Sequence, residues 1–167
     1  NPETDLNIDK SIDFGSTAAA FSGGQGEFTV EFEPAATALE SAGEGYVVAS
    51  LGEDSGYVPY TAFSAKKSFI EGHPEIIQSF TNALQKGMHY VQSHTPSEIA
   101  KIIAPQFPET DLDTITTIVK RYYDQDTWKA DLIFEKESFD LLQNILDSAG
   151  ELSKRAPYMD LVNTNFA

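Results

Sequence analysis

Residues 56–70, GYVPYTAFSAKKSFI, divide the chain in two. Ahead of them the sequence reads as strands alternating with short helices; behind them it reads as helix after helix. Tyr57, Val58, Tyr60, Thr61 and Phe63 are β-branched or aromatic, bounded by Gly56 and by Lys66-Lys67, which predicts a strand. Pro59 has no N–H to donate to a ladder, so this is an edge strand, or one crossing from one structural unit to another.

Working upstream, Leu6 and Ile8, then Ile12 and Phe14, fall two apart, the spacing of extended chain with one buried face. Gly15 ends that segment. Ser16 and Thr17 precede Ala18-Ala19-Ala20-Phe21, a hydroxyl cap before strong helix formers, and the helix should stop at Gly23-Gly24. Phe28, Val30 and Phe32 alternate with Thr29, Glu31 and Glu33, the clearest strand pattern present. Pro34 suits a first helical turn, continued by Ala35, Ala36, Ala38, Leu39 and Ala42 until Gly43 and Gly45. Residues 46–51, YVVASL, form a continuous apolar run of the kind covered on both faces. Strand, helix, strand, helix, strand predicts parallel pairing through right-handed crossovers, an α/β unit.

Downstream, Pro74 opens the longest helix, with Ile77, Phe80, Leu84, Met88 and Val91 three and four apart as one apolar stripe reaching about Ser93, expected to belong to the core. Thr95-Pro96-Ser97-Glu98 is a capping box with proline at the first helical position, so a second helix should reach about Ile103 before Pro105 and Pro108. Asp111 caps a third, with Leu112, Ile115, Val119 and Tyr122 inward. A fourth covers residues 135–148 through Phe139, Leu142 and Leu146, closed by Gly150. Lengths and loops differ throughout, and no repeat is visible.

Composition narrows the function classes. A chain of 167 residues with 41% hydrophobic content is globular and long enough for a core. No run approaches the roughly eighteen uncharged apolar residues of a membrane helix. With 26 acidic against 11 basic residues, the net charge of -15 opposes binding to nucleic acid or an anionic membrane. Without cysteine there is neither a disulfide framework nor a thiol nucleophile. Asn1 is not an initiator methionine, and the sequence reads as part of a longer chain.

The order of motifs resembles the substrate-binding proteins of ABC importers in the nitrate, taurine and sulfonate group, which includes the NMT1/THI5-like pyrimidine-precursor binders. The residues carrying the resemblance are Glu33-Pro34, then Gly45-Tyr46-Val47-Val48, the crossing strand before its charged pair, and above all Gly72-His73-Pro74-Glu75 followed by Phe80, Ala83 and Leu84. Ser148-Ala149-Gly150 ahead of Asp160-Leu161-Val162 and Phe166 resembles the closing segment. A complete family member has two α/β lobes around a cleft. The resemblance therefore implies a partial periplasmic-binding-protein type II-like α/β fold. Residues 1–65 would be the remainder of the second lobe with the crossing strand, and residues 66–167 a helical return packing on the first lobe and hinge. It also implies an extracytoplasmic protein, in the periplasm or membrane-anchored at the outer surface, with a transporter permease as partner, no cofactor and no enzyme activity. Closure of two lobes over the ligand would be the mechanism.

In open α/β sheets ligands sit beyond the carboxyl ends of strands, against helix N-termini. Ser16 and Thr17 occupy one such junction, as ligand contacts or simply as caps. Glu33 occupies the other, to receive hydrogen bonds from a ligand or to complement the helix dipole. Tyr57 and Tyr60 could stack on a flat ligand, or pack as ordinary strand aromatics. His73, His89 and His94 lack metal-ligand spacing, and Asp111-x-Asp113 and Asp124-x-Asp126 lack the glycine and glutamate of a calcium loop. Gly23-Gly24-Gln25-Gly26 leads into the predicted strand instead of a helix, and no serine sits in a nucleophile elbow, so catalysis has no motif to rest on.

Residues 1–65 hold eleven acidic residues and one basic residue, Lys10, a net charge of -10. A neutral or cationic ring is therefore the expected ligand, with an alkanesulfonate on Ser16 and Thr17 as runner-up. The rival reading is a helical module that docks a protein partner. Uncovered apolar strands would also let the chain self-associate.

Overall fold

The computed structural model describes residues 2–167, and among them it contains helices and no strand. The helices are α1 (Pro2–Asp5), α2 (Thr17–Ser22), α3 (Ala35–Ser41), α4 (Leu51–Asp54), α5 (Lys67–Gly72), α6 (Pro74–Ser93), α7 (Pro96–Ile103), α8 (Leu112–Asp124), α9 (Lys136–Ser148) and α10 (Tyr158–Leu161), with short 3-10 turns at Phe14–Ser16 and Ala104–Gln106. The α/β expectation is thereby corrected. Phe28, Val30 and Phe32 alternate as a half-buried strand should, yet they carry no regular structure and Phe28 is 77% exposed. A strand exists only when its N–H and C=O groups meet another strand, and none of the four apolar stretches meets one among the described residues. Tyr46 and Val48 stand exposed where a two-sided cover was expected, Leu51 opens α4 instead, and Leu6 and Ile8 are also exposed.

The crossing segment is likewise not a strand: residues 57–65 carry no helix or ladder, and α5 begins at Lys67. Three of its rings nevertheless reach different elements. The Tyr57 hydroxyl donates to Asp126 Oδ2 at 2.6 Å, Tyr60 lies on Phe32 and Phe63 meets Phe80 of α6 edge-on at 5.0 Å.

The helical half follows its local signals closely. The Thr95 hydroxyl accepts the Glu98 N–H while the Glu98 carboxylate accepts the Thr95 N–H at 2.9 Å, which closes the capping box of α7 with Pro96 in its first turn. Asp111 Oδ1 accepts the Thr114 N–H at 2.9 Å and so starts α8. Gly150, at φ 73°, ends α9 as only glycine does without strain. α7 and α8 pack on each other to form the main core of Ile99, Ala100, Ile115 and Val119, flanked by Tyr90, Val91, Ile103, Ala104 and Trp128.

α6 departs from expectation. It has no buried residue, and Phe80 in the middle of its stripe is 46% exposed. Its periodicity is right for a packed helix, and Tyr90 and Val91 near its end do pack on the α7/α8 core; along the rest Phe80 meets Phe63, Gln78 Nε2 donates to the Phe166 carbonyl at 3.0 Å, and Gln85 and Gln92 donate to the Ala130 and Lys129 carbonyls. Leu112 of α8 is also exposed, not inward. The chain presents 12374 Å² of accessible surface in all. A compact monomer of its 18.3 kDa would present about 8,100 Å², so much of the apolar content lies on the outside. No helix is long and apolar enough to cross a membrane among the described residues.

Candidate functional site

The site grows from a turn. Ser16 N–H donates to the Asp13 carbonyl at 2.8 Å and the Thr17 hydroxyl to the Phe14 carbonyl at 2.8 Å, closing the 3-10 turn on which α2 begins. That turn presents Phe14, whose ring meets Phe32 edge-on, centroids 5.0 Å apart. Phe32 in turn faces Tyr60 at 4.9 Å with the planes tilted by 36°. Phe14, Phe32 and Tyr60 thus form a row of three rings, all exposed, drawn from three separate segments. Such a row offers apolar area with a phenol at one end, a surface suited to a flat ring.

Behind the row lies a charged knot. Glu33 Oε2 accepts the Thr37 N–H at 3.0 Å and Oε1 accepts the Thr37 hydroxyl at 3.0 Å, so the carboxylate serves the first turn of α3. Arg121 of α8 forks across the gap: Nη1 donates to Glu33 Oε1 and to Thr37 Oγ1, and Nη2 donates to Glu40. Glu40 also accepts the Val47 N–H at 2.9 Å, which folds residue 47 back onto α3. The Glu33 side chain is only 6% exposed. Burial opposes the Arg121 charge, but its hydrogen bonds to Glu40 and Glu33 more than compensate, and its pKa lies above the usual value. The Glu40 carboxyl is held below its usual value, first by the Val47 N–H and, against the cost of burial, by Arg121. Burial pushes the Tyr122 phenol up, beside Glu33 and Tyr60.

The structure brings Tyr60 to the ring row, against Phe32, while Thr17 stays in the turn that carries Phe14. Ser16 is exposed at the turn and makes no side-chain cap bond to α2, while the Thr17 hydroxyl is engaged by the turn itself. Glu33 faces inward, with both oxygens engaged by Thr37 and Arg121, instead of outward as a free acceptor. Tyr57 stands apart from the row, its hydroxyl on Asp126 and its pKa raised by that bond. Phe14 and Phe32 were assigned to strand faces by their spacing, and Arg121 had no signal of its own.

The chain is 40% identical over its full 167 residues to "Putative binding protein YtlA" of Bacillus subtilis (strain 168). The match covers 50% of that relative, so this chain spans about half the length of the curated protein it resembles. No family model matches the chain, and no solved structure matches it.

Proposed function

We propose that this chain is the recognition part of an extracytoplasmic solute-binding protein that delivers a small organic molecule to an ABC importer, acting by binding and not by catalysis. Two things support the reading: a relative named as a binding protein is similar along the entire chain, and the exposed row of Phe14, Phe32 and Tyr60 is a ready stacking surface. The row is the observation that carries it. Exposed aromatic rings attract flat apolar ligands.

The ligand this row favours is a neutral ring such as an aminopyrimidine. Glu33 is neutralised by Arg121 and gives no free carboxylate to a cation there. The alkanesulfonate alternative is weaker, because the Thr17 hydroxyl is already bonded and α2 is six residues long, too short for much of a dipole. Titration calorimetry with an aminopyrimidine and with taurine tests the choice. The aminopyrimidine should bind, and Phe32→Leu should weaken it by roughly tenfold, the scale of about 1.4 kcal/mol in stacking. Taurine binding unaffected by Phe32→Leu would reject the reading.

A second reading, a module docking a protein partner, is favoured by one observation: the accessible surface is about half as much again as that of a compact monomer. The two readings separate on whether small molecules alone raise the melting temperature.

A further inference from the structure

A concave feature lies away from the ring row, where α6, the end of α8 and the following turn border a half-open cavity of about 170 Å³ lined by Val91, Gln92, Tyr122, Tyr123, Asp126 and Trp128. Trp128 stands edge-to-face with both tyrosines, its centroid 6.3 Å from Tyr122 and 6.4 Å from Tyr123. Three aromatic rings thus share the lining with a single carboxylate. Asp126 sits at φ 52°, just past the C-cap Gln125 of α8, a position where helices usually place glycine. Its Oδ2 accepts the Tyr57 hydroxyl at 2.6 Å, which orients the carboxylate.

The chemistry of this lining selects among ligands. A neutral apolar molecule would gain from the rings and nothing from Asp126. An anion would be repelled by Asp126 and by a chain of net charge -15. A metal ion needs several oxygen or nitrogen ligands, and no group of three or more acidic or histidine side chains among the described residues is placed to supply them. What remains is a cation with an apolar coat, since ring faces attract positive charge and accept alkyl contact at once. We propose that this cavity binds a small organic ammonium ion, its alkylated nitrogen against Trp128, Tyr122 and Tyr123 and its charge beside Asp126. This assignment stands on the cavity alone and is independent of the importer reading.

Trp128 is the single tryptophan of the chain, so its fluorescence reports on this cavity specifically. The whole chain is titrated with tetramethylammonium chloride, with sodium chloride at matched ionic strength, and with tert-butanol as an uncharged analogue. The expected result is a saturable change with tetramethylammonium, none with sodium, and at least about tenfold weaker binding of tert-butanol. Asp126→Asn keeps an acceptor for the Tyr57 hydroxyl and should weaken tetramethylammonium by about tenfold; Tyr123→Leu should do the same. Circular dichroism checks that both variants retain their helices. No saturable change, or an equal response to tert-butanol on the unaltered chain, overturns the proposal whatever the variants do.

Discussion

Arg121 and Glu33 lie 88 positions apart, yet Arg121 Nη1 donates to Glu33 Oε1 at 2.5 Å. With the second arm of the guanidinium on Glu40, one side chain ties α3 to α8 and closes the N-terminal segments onto the helical part.

Arg121→Met should therefore destabilise by about 2–3 kcal/mol, somewhat under the 3–5 kcal/mol of a fully buried pair because the Arg121 side chain is 21% exposed. Glu40→Gln, which keeps an acceptor for the Val47 N–H, should cost about 1 kcal/mol. Chemical denaturation gives both values. A loss under about 0.5 kcal/mol for Arg121→Met would show that the knot does not join the two helices.

Stability should fall in acid. A carboxyl held below its ordinary value of 4.5, as Glu40 is, contributes stability that is present above that value and disappears as pH drops through the lower, folded value. Arg121, whose pKa is raised further by its carboxylate partners, stays charged throughout and contributes no pH dependence in this range. Midpoints measured between neutral pH and about pH 3 should decline below about pH 4.5, and less steeply for Glu40→Gln. Parallel curves for the two proteins would remove Glu40 from the cause.

Ile115→Ala and Phe80→Ala should separate clearly. Ile115 is 3% exposed within the α7/α8 core, and its truncation should cost about 2–5 kcal/mol. Phe80, half exposed on α6, should cost about 1 kcal/mol through lost area and its contact with Phe63. Similar losses at the two positions would mean that α6 is covered in solution.

Concentration-dependent sedimentation is expected as well. Phe28, Tyr46, Val48 and Tyr60 are exposed together with Phe80 of α6, more apolar surface than a monomer ordinarily leaves in water. A single boundary of constant sedimentation coefficient across a hundredfold dilution would contradict it.

The downstream helices were legible because their signals are local. Thr95 with Glu98, Asp111 with Thr114, and Gly150 each act within four residues, so the string of letters already contains both partners. The upstream strands were misread because alternation records only that a segment has two different faces. Whether Phe28, Val30 and Phe32 join a ladder depends on a second segment, which the spacing does not specify. Part of the candidate site failed for the same reason. Glu33 was recognised as a carboxylate beginning a helix, which it is, but its main partner is Arg121, far along the chain. Tyr60 was placed among possible stacking residues on composition alone, and the rings it joins, Phe32 and Phe14, became visible only when three distant segments met.

The heat capacity of unfolding scales with the apolar surface that unfolding uncovers. A chain whose main core is four residues between α7 and α8, with most of its rings already wet, has comparatively little left to uncover. Its stability curve is correspondingly flat, changing slowly with temperature on either side of its maximum. Whatever comes to cover the ring row would sharpen that curve, so calorimetry of the covered and uncovered states measures, through their curvature, how much surface the cover takes from water.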